Sequence, residues 1–238
     1  MQGVLGLGTV PDEVLLLCGR TESVPTAWWT PALVGRPEPE VARLRAATES
    51  SLDATGDRDA ATGRPTGVLG AVADVVADAS LLLLLETDSG HDEQQRRSVV
   101  VAPDRALLDL HGEGVHDLLL ATPAATSMLL SDLLAGDDVP VATSAVRALA
   151  GGRTIDEVDR VLPQRGRTAT TRILRTAIGD DGEGAVSHLV TVVHHPDGLV
   201  ACWGLPGGWL SVQVLDGLEA VGDLATALLG AGPDGTSV

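Results

Sequence analysis

The strongest constraint on the fold of this chain is an internal repeat. Residues 99–136 and residues 192–230 share one pattern, in which a strand, a tight turn, a strand, a second turn, a strand and an amphipathic helix follow in order. Pro103 and Asp104 of the first copy fall on Pro196 and Asp197 of the second. This repetition of a strand-rich unit predicts a pseudo-twofold fold in which both copies contribute to one central sheet.

The repeat also bounds the domain organisation. Neither copy alone could cover both faces of a short four-stranded sheet, whereas two copies joined edge to edge bury a common core. We therefore predict a single domain over residues 1–238, with half one at about 38–136, a helical bridge at 139–164, half two at about 153–230 and a flexible tail at 231–238.

Composition excludes several classes of partner. The chain carries a formal net charge of −17, with 33 acidic residues against 16 basic ones, which are all arginine and are scattered along the sequence. Because this leaves no basic stripe, we expect neither nucleic acid nor an anionic membrane as a partner. The chain has only 2 cysteines, no basic leader before an apolar run at the N-terminus, and no apolar run near the roughly 20 residues that a spanning helix needs. These features predict a cytoplasmic protein.

The residues that are missing indicate the source and the kind of core. Lys, Asn, Phe and Tyr, which AT-rich codons encode, are absent. We therefore expect a GC-rich, actinobacterial genome. With Trp28, Trp29, Trp203 and Trp209 as the only aromatic side chains other than histidine, each tryptophan is expected to anchor packing.

Local patterns place the elements of the first half. Glu38 opens one helix and Val68 lies on the apolar face of a second. A third helix begins at Pro123, with Thr122 in the N-cap position. Strands are predicted at 13–18, 80–86, 98–102, 105–111 and 115–121.

The second half has matching signals. Two short helices should follow residue 141, and Thr154 opens the second of them with Glu157 at the capping-box spacing. Asp216 is the predicted N-cap of the last helix, with Glu219 three residues on. Strands are predicted after Gly166 and near 185–195, and the sequence HPDG at residues 195–198 is typical of a type I turn.

No catalytic motif stands out. His188, His194, His195, Asp197 and Cys202 lie close together in sequence, but neighbouring residues of a strand point to opposite faces and cannot all reach one ion. We therefore expect no metal, no cofactor and no enzymatic activity. The alternative is a hydrolase or a small-ligand-binding domain with its site near His188, His195 and Asp197.

Two segments could recognise a partner. The first copy carries a long polar insert at residues 86–97, where the second copy has only GDDGEG, and loops of this length often carry binding surfaces. The helical bridge and the last helix have apolar faces that the sheet need not cover completely, and such faces suit a helical partner. The bland interpretations are a solvated loop and helices that simply cover the sheet.

The second copy, at residues 186–230, resembles the EspG family, the cytosolic chaperones of actinobacterial type VII (ESX) secretion. The resemblance rests on a PDG turn, a tryptophan-led strand and a closing amphipathic helix, and residues 61–86 resemble the family's Gly-rich turn, helix and first strand. Roughly residues 45–230 are covered. The resemblance implies an α+β fold with a pseudo-twofold repeat, in which helical bundles flank a central, mainly antiparallel β-sheet.

The same resemblance implies a function and a set of contacts. It implies a non-enzymatic chaperone that binds and shields the apolar helical tip of PE/PPE-like secreted proteins, as a monomer or weak dimer. Family contacts would fall on the loop between the first two strands of copy one and on the helices near residues 143–162. Carried over, the partner-binding residues are Asp88, Ser89, Gly90, His91, Asp92, Glu93, Gln94, Gln95, Arg96, Val146, Leu149, Val158 and Val161.

Overall fold

A computed structural model describes residues 3–11, 36–90, 95–112, 115–136, 139–178 and 184–230. Its strands are β1 (Val4–Pro11), β2 (Leu81–Asp88), β3 (Gln95–Val101), β4 (Ala106–Gly112), β5 (Val115–Ala121), β6 (Gly151–Thr154), β7 (Ala169–Ile178), β8 (Gly184–His195), β9 (Gly198–Gly204) and β10 (Trp209–Val214). Its α-helices are α1 (Glu38–Thr55), α2 (Gly67–Ala77), α3 (Pro123–Ala135), α4 (Ser144–Arg147), α5 (Ile155–Val161) and α6 (Leu218–Leu229).

The order of the strands repeats the order of the sequence copies. The 10 strands follow one another as β1-β5-β4-β3-β2-β7-β8-β9-β10-β6. The four strands of copy one run outward from β2 to β5, the four of copy two run outward from β7 to β10, and one further strand is added beyond each set. The predicted α+β class and the pseudo-twofold, mainly antiparallel sheet are therefore confirmed.

The chain divides into two compact units. Unit 1 consists of residues 1–82, 97–123 and 177–185, and unit 2 consists of residues 83–96, 124–176 and 186–238. The boundaries cut through strands β2, β3, β7 and β8 rather than through linkers. The prediction of one domain, with its two halves and bridge, stays a prediction.

The core of unit 1 forms because α2 presents an apolar face to the strands. Val72, Val75 and Val76 are completely buried on this helix. They cluster with Leu82 and Leu107 and with neighbouring apolar side chains of β2 to β5. By the usual 20 to 33 cal/mol per Å² of buried apolar surface, such valines each stabilise the fold by roughly 1.5–3 kcal/mol.

The core of unit 2 joins the helical bridge to the outer strands of the second copy. Val146 of α4 and Val158 of α5 pack with Val193, Val200 and Val212 of β8, β9 and β10. Thr154 and Glu157 form the predicted capping box at the start of α5, with each side chain bonded to the other residue's backbone N–H. This box satisfies N–H groups that the first turn of a helix leaves without partners.

Most of the predicted elements are present, with some corrections. The strands of copy one, the helices that begin at Glu38 and Pro123, the two bridge helices and the strands near residues 169–178 and 184–195 are confirmed. Strands β1 and β6 were not predicted, and the strand expected at 13–18, like the tail 231–238, lies outside the described residues.

Two further expectations are wrong. Asp216 is not the N-cap of α6, because Gly217 occupies that position and makes no side-chain cap. The Asp216 carboxylate accepts hydrogen bonds from Ala142 N at 3.2 Å and from Arg147 Nε at 2.9 Å instead. Trp209 is not a packing anchor, since it is 50% exposed.

Candidate functional site

A polar groove in unit 2 contains residues of the predicted loop segment and residues that follow the predicted bridge helices. It has a volume of about 330 Å³. One side comes from the end of β2 and the following loop, and the other from the end of the helical bridge and the start of β7. The groove is lined by Glu86, Asp88, Gly90, Gln164, Arg167, Ala169, Thr170 and Arg172, and we call it the β2–β7 groove.

Strand alternation explains why these side chains share a surface. On the opposite face of the sheet, the hydroxyls of Thr87 and Thr171 lie 3.0 Å apart, so these residues are cross-strand neighbours. Because successive side chains of a strand point to opposite faces, Glu86 and Asp88 share the other face with Thr170 and Arg172. The floor of the β2–β7 groove is therefore a polar strip across two adjacent strands.

Charge in the groove is divided between its two sides. Carboxylates of Glu86 and Asp88 come from β2, and guanidinium groups come from the other side. The Glu86 carboxylate lies 3.3 Å from Arg96 Nε on β3. The Asp88 carboxylate accepts a hydrogen bond from Gly90 N at 2.9 Å, which shapes the start of the loop.

The two arginines of the groove differ in their surroundings. Arg167 is held in place, because its guanidinium pairs with Asp159 and donates from Nε and Nη2 to the carbonyl oxygen of Leu162 at 3.1 Å. Arg172 is exposed and makes no hydrogen bond or ion pair with any residue in the described ranges. Only Arg172 therefore presents an uncommitted cation to the groove.

The structure describes some of the predicted loop residues and not others. Asp88 and Gly90 line the groove, Arg96 pairs with Glu86, and Ser89 and Gln95 lie at the two ends of the loop. His91, Asp92, Glu93 and Gln94 lie outside the described residues.

The predicted bridge residues face inward in this conformation. Val146 is 0% exposed, Val158 is 3% exposed and Leu149 is 4% exposed, and all three belong to the core of unit 2. Val161 is partly buried and packs against the same core. The apolar positions of α4 and α5 are spaced to cover the sheet, so a partner on this bridge would meet other side chains.

Three exposed apolar residues lie where the end of the β9–β10 hairpin pairs with the strand before α5. Leu205 is 45% exposed, Trp209 is 50% exposed and Ile155, the first residue of α5, is 59% exposed. Leu205 N donates to Trp209 O at 2.7 Å, and Trp209 pairs with Thr154, the residue before Ile155. The three residues are therefore neighbours through the backbone, and we call them the hairpin patch.

The alternative site near His188 gains no support from the structure. His188 and His195 lie on one strand at positions that point to opposite faces, roughly 23 Å apart at about 3.3 Å per residue. His195 is 8% exposed, and its Nδ1 accepts a hydrogen bond from Asp197 N at 3.1 Å. His195 Nδ1 also lies 3.4 Å from a carboxylate oxygen of Asp197, but His188 is far from this pair. None of the three residues lines the β2–β7 groove.

Neighbouring titratable groups have perturbed acidities without forming a reactive site. Burial raises the pKa of the Cys202 thiol to about 11 and lowers the pKa of His194. Both shifts favour the neutral form of the group. Within the part of the chain that the structure describes, no three His, Cys, Asp or Glu side chains lie close enough to hold a metal ion.

Several residues of the groove escaped the sequence analysis. Gln164, Arg167, Thr170 and Arg172 were treated as parts of a bridge and a strand, although the alternation in TATTRILRT does place Thr170 and Arg172 on one face. What the sequence could not supply was the adjacency of β2 and β7.

No described helix has the length and apolar character needed to cross a membrane.

Comparisons with known proteins find a relative in structure only. No protein-family model matches the sequence, and no curated protein sequence matches it. The chain is similar to a solved structure of the Mycobacterium tuberculosis type VII secretion system chaperone EspG5, which is in complex with a PE25-PPE41 dimer. The TM-score is 0.59 at 11% identity, and the match covers 98% of each chain. This similarity confirms the fold that the EspG resemblance implied.

Proposed function

We propose that this chain is a cytoplasmic, non-enzymatic chaperone of type VII (ESX) secretion that binds and shields the apolar helical tip of a PE/PPE-like secreted protein. The observation that carries the proposal is the match to a chaperone over 98% of both chains. This match, with a TM-score of 0.59, extends over the residues of both predicted halves and of the helical bridge. It is accompanied by the resemblance of residues 186–230 to the family.

The two surfaces of unit 2 support a binding role. The β2–β7 groove offers polar groups from the loop segment that the resemblance assigns to partner contact, together with residues that follow the second assigned segment. The hairpin patch offers an exposed tryptophan next to the bridge, and tryptophan is among the residues that contribute most to binding energy at protein interfaces. An apolar helix tip that covered the hairpin patch would remove both apolar surfaces from water.

Acidity supports a chaperone that must stay soluble while it carries a sticky client. At a net charge of −17, copies of the chain repel one another, which favours a monomer or a weak dimer. The proposed client is bound until the export machinery displaces it. Moderate affinity is therefore expected.

Co-expression tests the proposal directly. The chain is produced together with a candidate PE/PPE-like pair from the genome that encodes it, and the mixture is analysed by size-exclusion chromatography with light scattering. We expect one complex that contains all three chains, and we expect the pair to be less soluble without the chaperone. If the pair elutes separately from the chain at micromolar concentrations, the proposal is wrong.

Substitutions in unit 2 show whether the assigned surface is used. Trp209→Ala should weaken the complex, because it removes an exposed aromatic side chain from the hairpin patch. Met128→Ala is the matched control, since Met128 is 65% exposed on α3 and belongs to neither surface. Equal affinities for these two variants would contradict a role of the hairpin patch.

A further inference from the structure

Among the residues that the structure describes, Arg172 is the cation of the β2–β7 groove that has no ion pair or hydrogen bond. Arg172 extends from β7 into the groove, and it makes no ion pair with the residues that the structure describes. The chain has 33 acidic residues and 16 arginines, so a shortage of carboxylates does not explain why Arg172 has no ion pair with the described residues.

Neighbouring pairs explain why Arg172 stays uncommitted. The Thr87–Thr171 contact and the hydrogen bond from Ile178 N to Ser80 O follow one antiparallel register, which puts Glu86 opposite Arg172. The Glu86 carboxylate is instead held 3.3 Å from Arg96 Nε on the other side of β2. Arg167, the second guanidinium of the groove, is already occupied by Asp159 and by the Leu162 carbonyl.

The chemistry of this arrangement selects a carboxylate. A guanidinium presents a rigid fork of N–H donors that matches the two oxygens of a carboxylate, and such charge-assisted pairs are stronger than neutral hydrogen bonds. A client helix that covered the groove would exclude water from Arg172, so a pair formed there would be screened less than one on an open surface.

The opposite side of the groove sets a second requirement. Asp88 lies on β2 beyond Glu86, and among the described residues its carboxylate accepts a hydrogen bond only at Oδ1, from Gly90 N. A second carboxylate from a partner would be repelled there, whereas a basic or amide side chain would be accepted. Diagonal cross-strand positions such as Asp88 and Arg172 are separated by roughly 7–8 Å, which long side chains one turn apart on a helix can span.

We propose that Arg172 recognises an acidic side chain of the helical client, and that Asp88 receives a basic or amide side chain one helical turn away. The inference rests on the proposed function and adds to it the polar pattern that the client must carry. It makes Arg172 a specificity-determining residue: a client without the acid would lose the pair and leave its own uncharged side chain against the guanidinium.

Calorimetric titration of the purified variants with the same PE/PPE-like pair as in the co-expression test examines the inference. Arg172→Gln should raise the Kd about tenfold or more and should reduce the dependence of the Kd on salt between 50 and 300 mM NaCl, because a charged hydrogen bond is lost. Arg172→Lys should recover part of the affinity, since it keeps the charge without the fork. Glu86→Gln should strengthen binding several-fold, because it removes a negative charge beside the client's carboxylate.

Arg165→Gln is the matched control. Arg165 is an exposed arginine that lies two residues before Arg167 and does not line the groove, so its substitution changes the net charge equally. We expect a change in Kd of less than threefold. The arginine variants should keep the unfolding temperature of the wild type, since neither Arg165 nor Arg172 has a partner among the described residues. The unfolding temperature of Glu86→Gln is measured separately, because this variant loses the ion pair with Arg96.

The outcomes separate this inference from the proposed function. If the wild type does not bind the pair, both are overturned. If the wild type binds and Arg172→Gln binds within threefold of it, the inference alone is overturned. An Arg172→Glu variant combined with Glu→Arg or Asp→Arg substitutions in the client identifies the partner residue when one combination restores binding, and failure of every combination also overturns the inference.

Discussion

Gly198 is the position at which a single methyl group should do most damage to the helical bridge. It opens β9 directly after the PD turn, with a φ of 153°, a backbone conformation that L side chains rarely adopt. A Cβ at this residue would lie 2.8 Å from Val146 Cγ1 and 3.2 Å from Ala142 Cα. Both contacts belong to the segment that carries α4, so Gly198→Ala should push this segment away from the sheet.

The magnitude follows from two separate costs. Forcing an extra methyl group into a packed core costs typically about 1–3 kcal/mol. Holding a non-glycine residue in an unfavourable backbone region adds roughly 1–2 kcal/mol. We therefore expect a loss of about 2–5 kcal/mol, which for a chain of this size lowers the Tm by roughly 5–20 °C.

Urea unfolding followed by tryptophan fluorescence and circular dichroism measures this loss. Gly204→Ala is the control on the same strand, because Gly204 has nothing within 4 Å of the position of a Cβ and its φ lies outside the positive range. It should be neutral or slightly stabilising, since alanine restricts the unfolded chain. If Gly198→Ala unfolds at the same urea concentration as the wild type, the described packing of α4 against the β8–β9 turn is wrong.

Three further predictions concern single groups. Hydrogen bonds from Ala142 N and Arg147 lower the pKa of Asp216 below its ordinary value of 3.8. The stabilising effect of this carboxylate is therefore present above pH 3.8 and is lost as the pH falls through the lowered pKa, so the difference in stability between wild type and Asp216→Asn should vanish in that acidic range. Thr154→Ala removes the N-cap of α5 and should cost about 1 kcal/mol in urea unfolding, with no change in the slope of the transition. Cys202, whose pKa burial raises to about 11, should resist alkylation at pH 8 in the native chain and react after unfolding, as measured by peptide mass spectrometry.

Sequence reasoning succeeded where the signal is local and repeated. The capping box of Thr154 and Glu157 predicted the start of α5 because both side chains bond to backbone within one turn. Pro123 predicted the start of α3 because proline loses no needed hydrogen bond at the first position of a helix. In such cases the residues that determine the structure and the structure itself lie within four positions of each other.

It failed where a distant residue competes for the same group. Asp216 has the spacing of an N-cap, but Arg147 and Ala142 lie close enough in space to take its carboxylate. Strand β6 begins with Gly151 and Gly152, which have low strand propensity, and it exists because it pairs with β10 from Trp209 to Val212. Neither competition can be read within a local window.

The division of the bridge into inward and outward side chains shows how far an interface can be inferred from apolar residues alone. Val146, Leu149 and Val158 satisfied the pattern of an apolar helix face, and the structure uses that face to cover β8, β9 and β10. Ile155 satisfied the same composition and is 59% exposed. Composition therefore identifies an amphipathic helix, and only the position of the sheet decides which of its apolar residues remain for a partner.

The β2–β7 groove has a similar origin at the level of the whole fold. Its acidic side comes from copy one and its basic side from copy two, and the two sides meet because β2 and β7 are the innermost strands of the two copies. The copies have diverged most around this junction, where copy one has a long polar insert and copy two has a helical bridge before its first strand. A duplicated sheet can thus keep its shared core in the repeated residues, while under the proposed function the unrepeated residues at the junction would recognise the client.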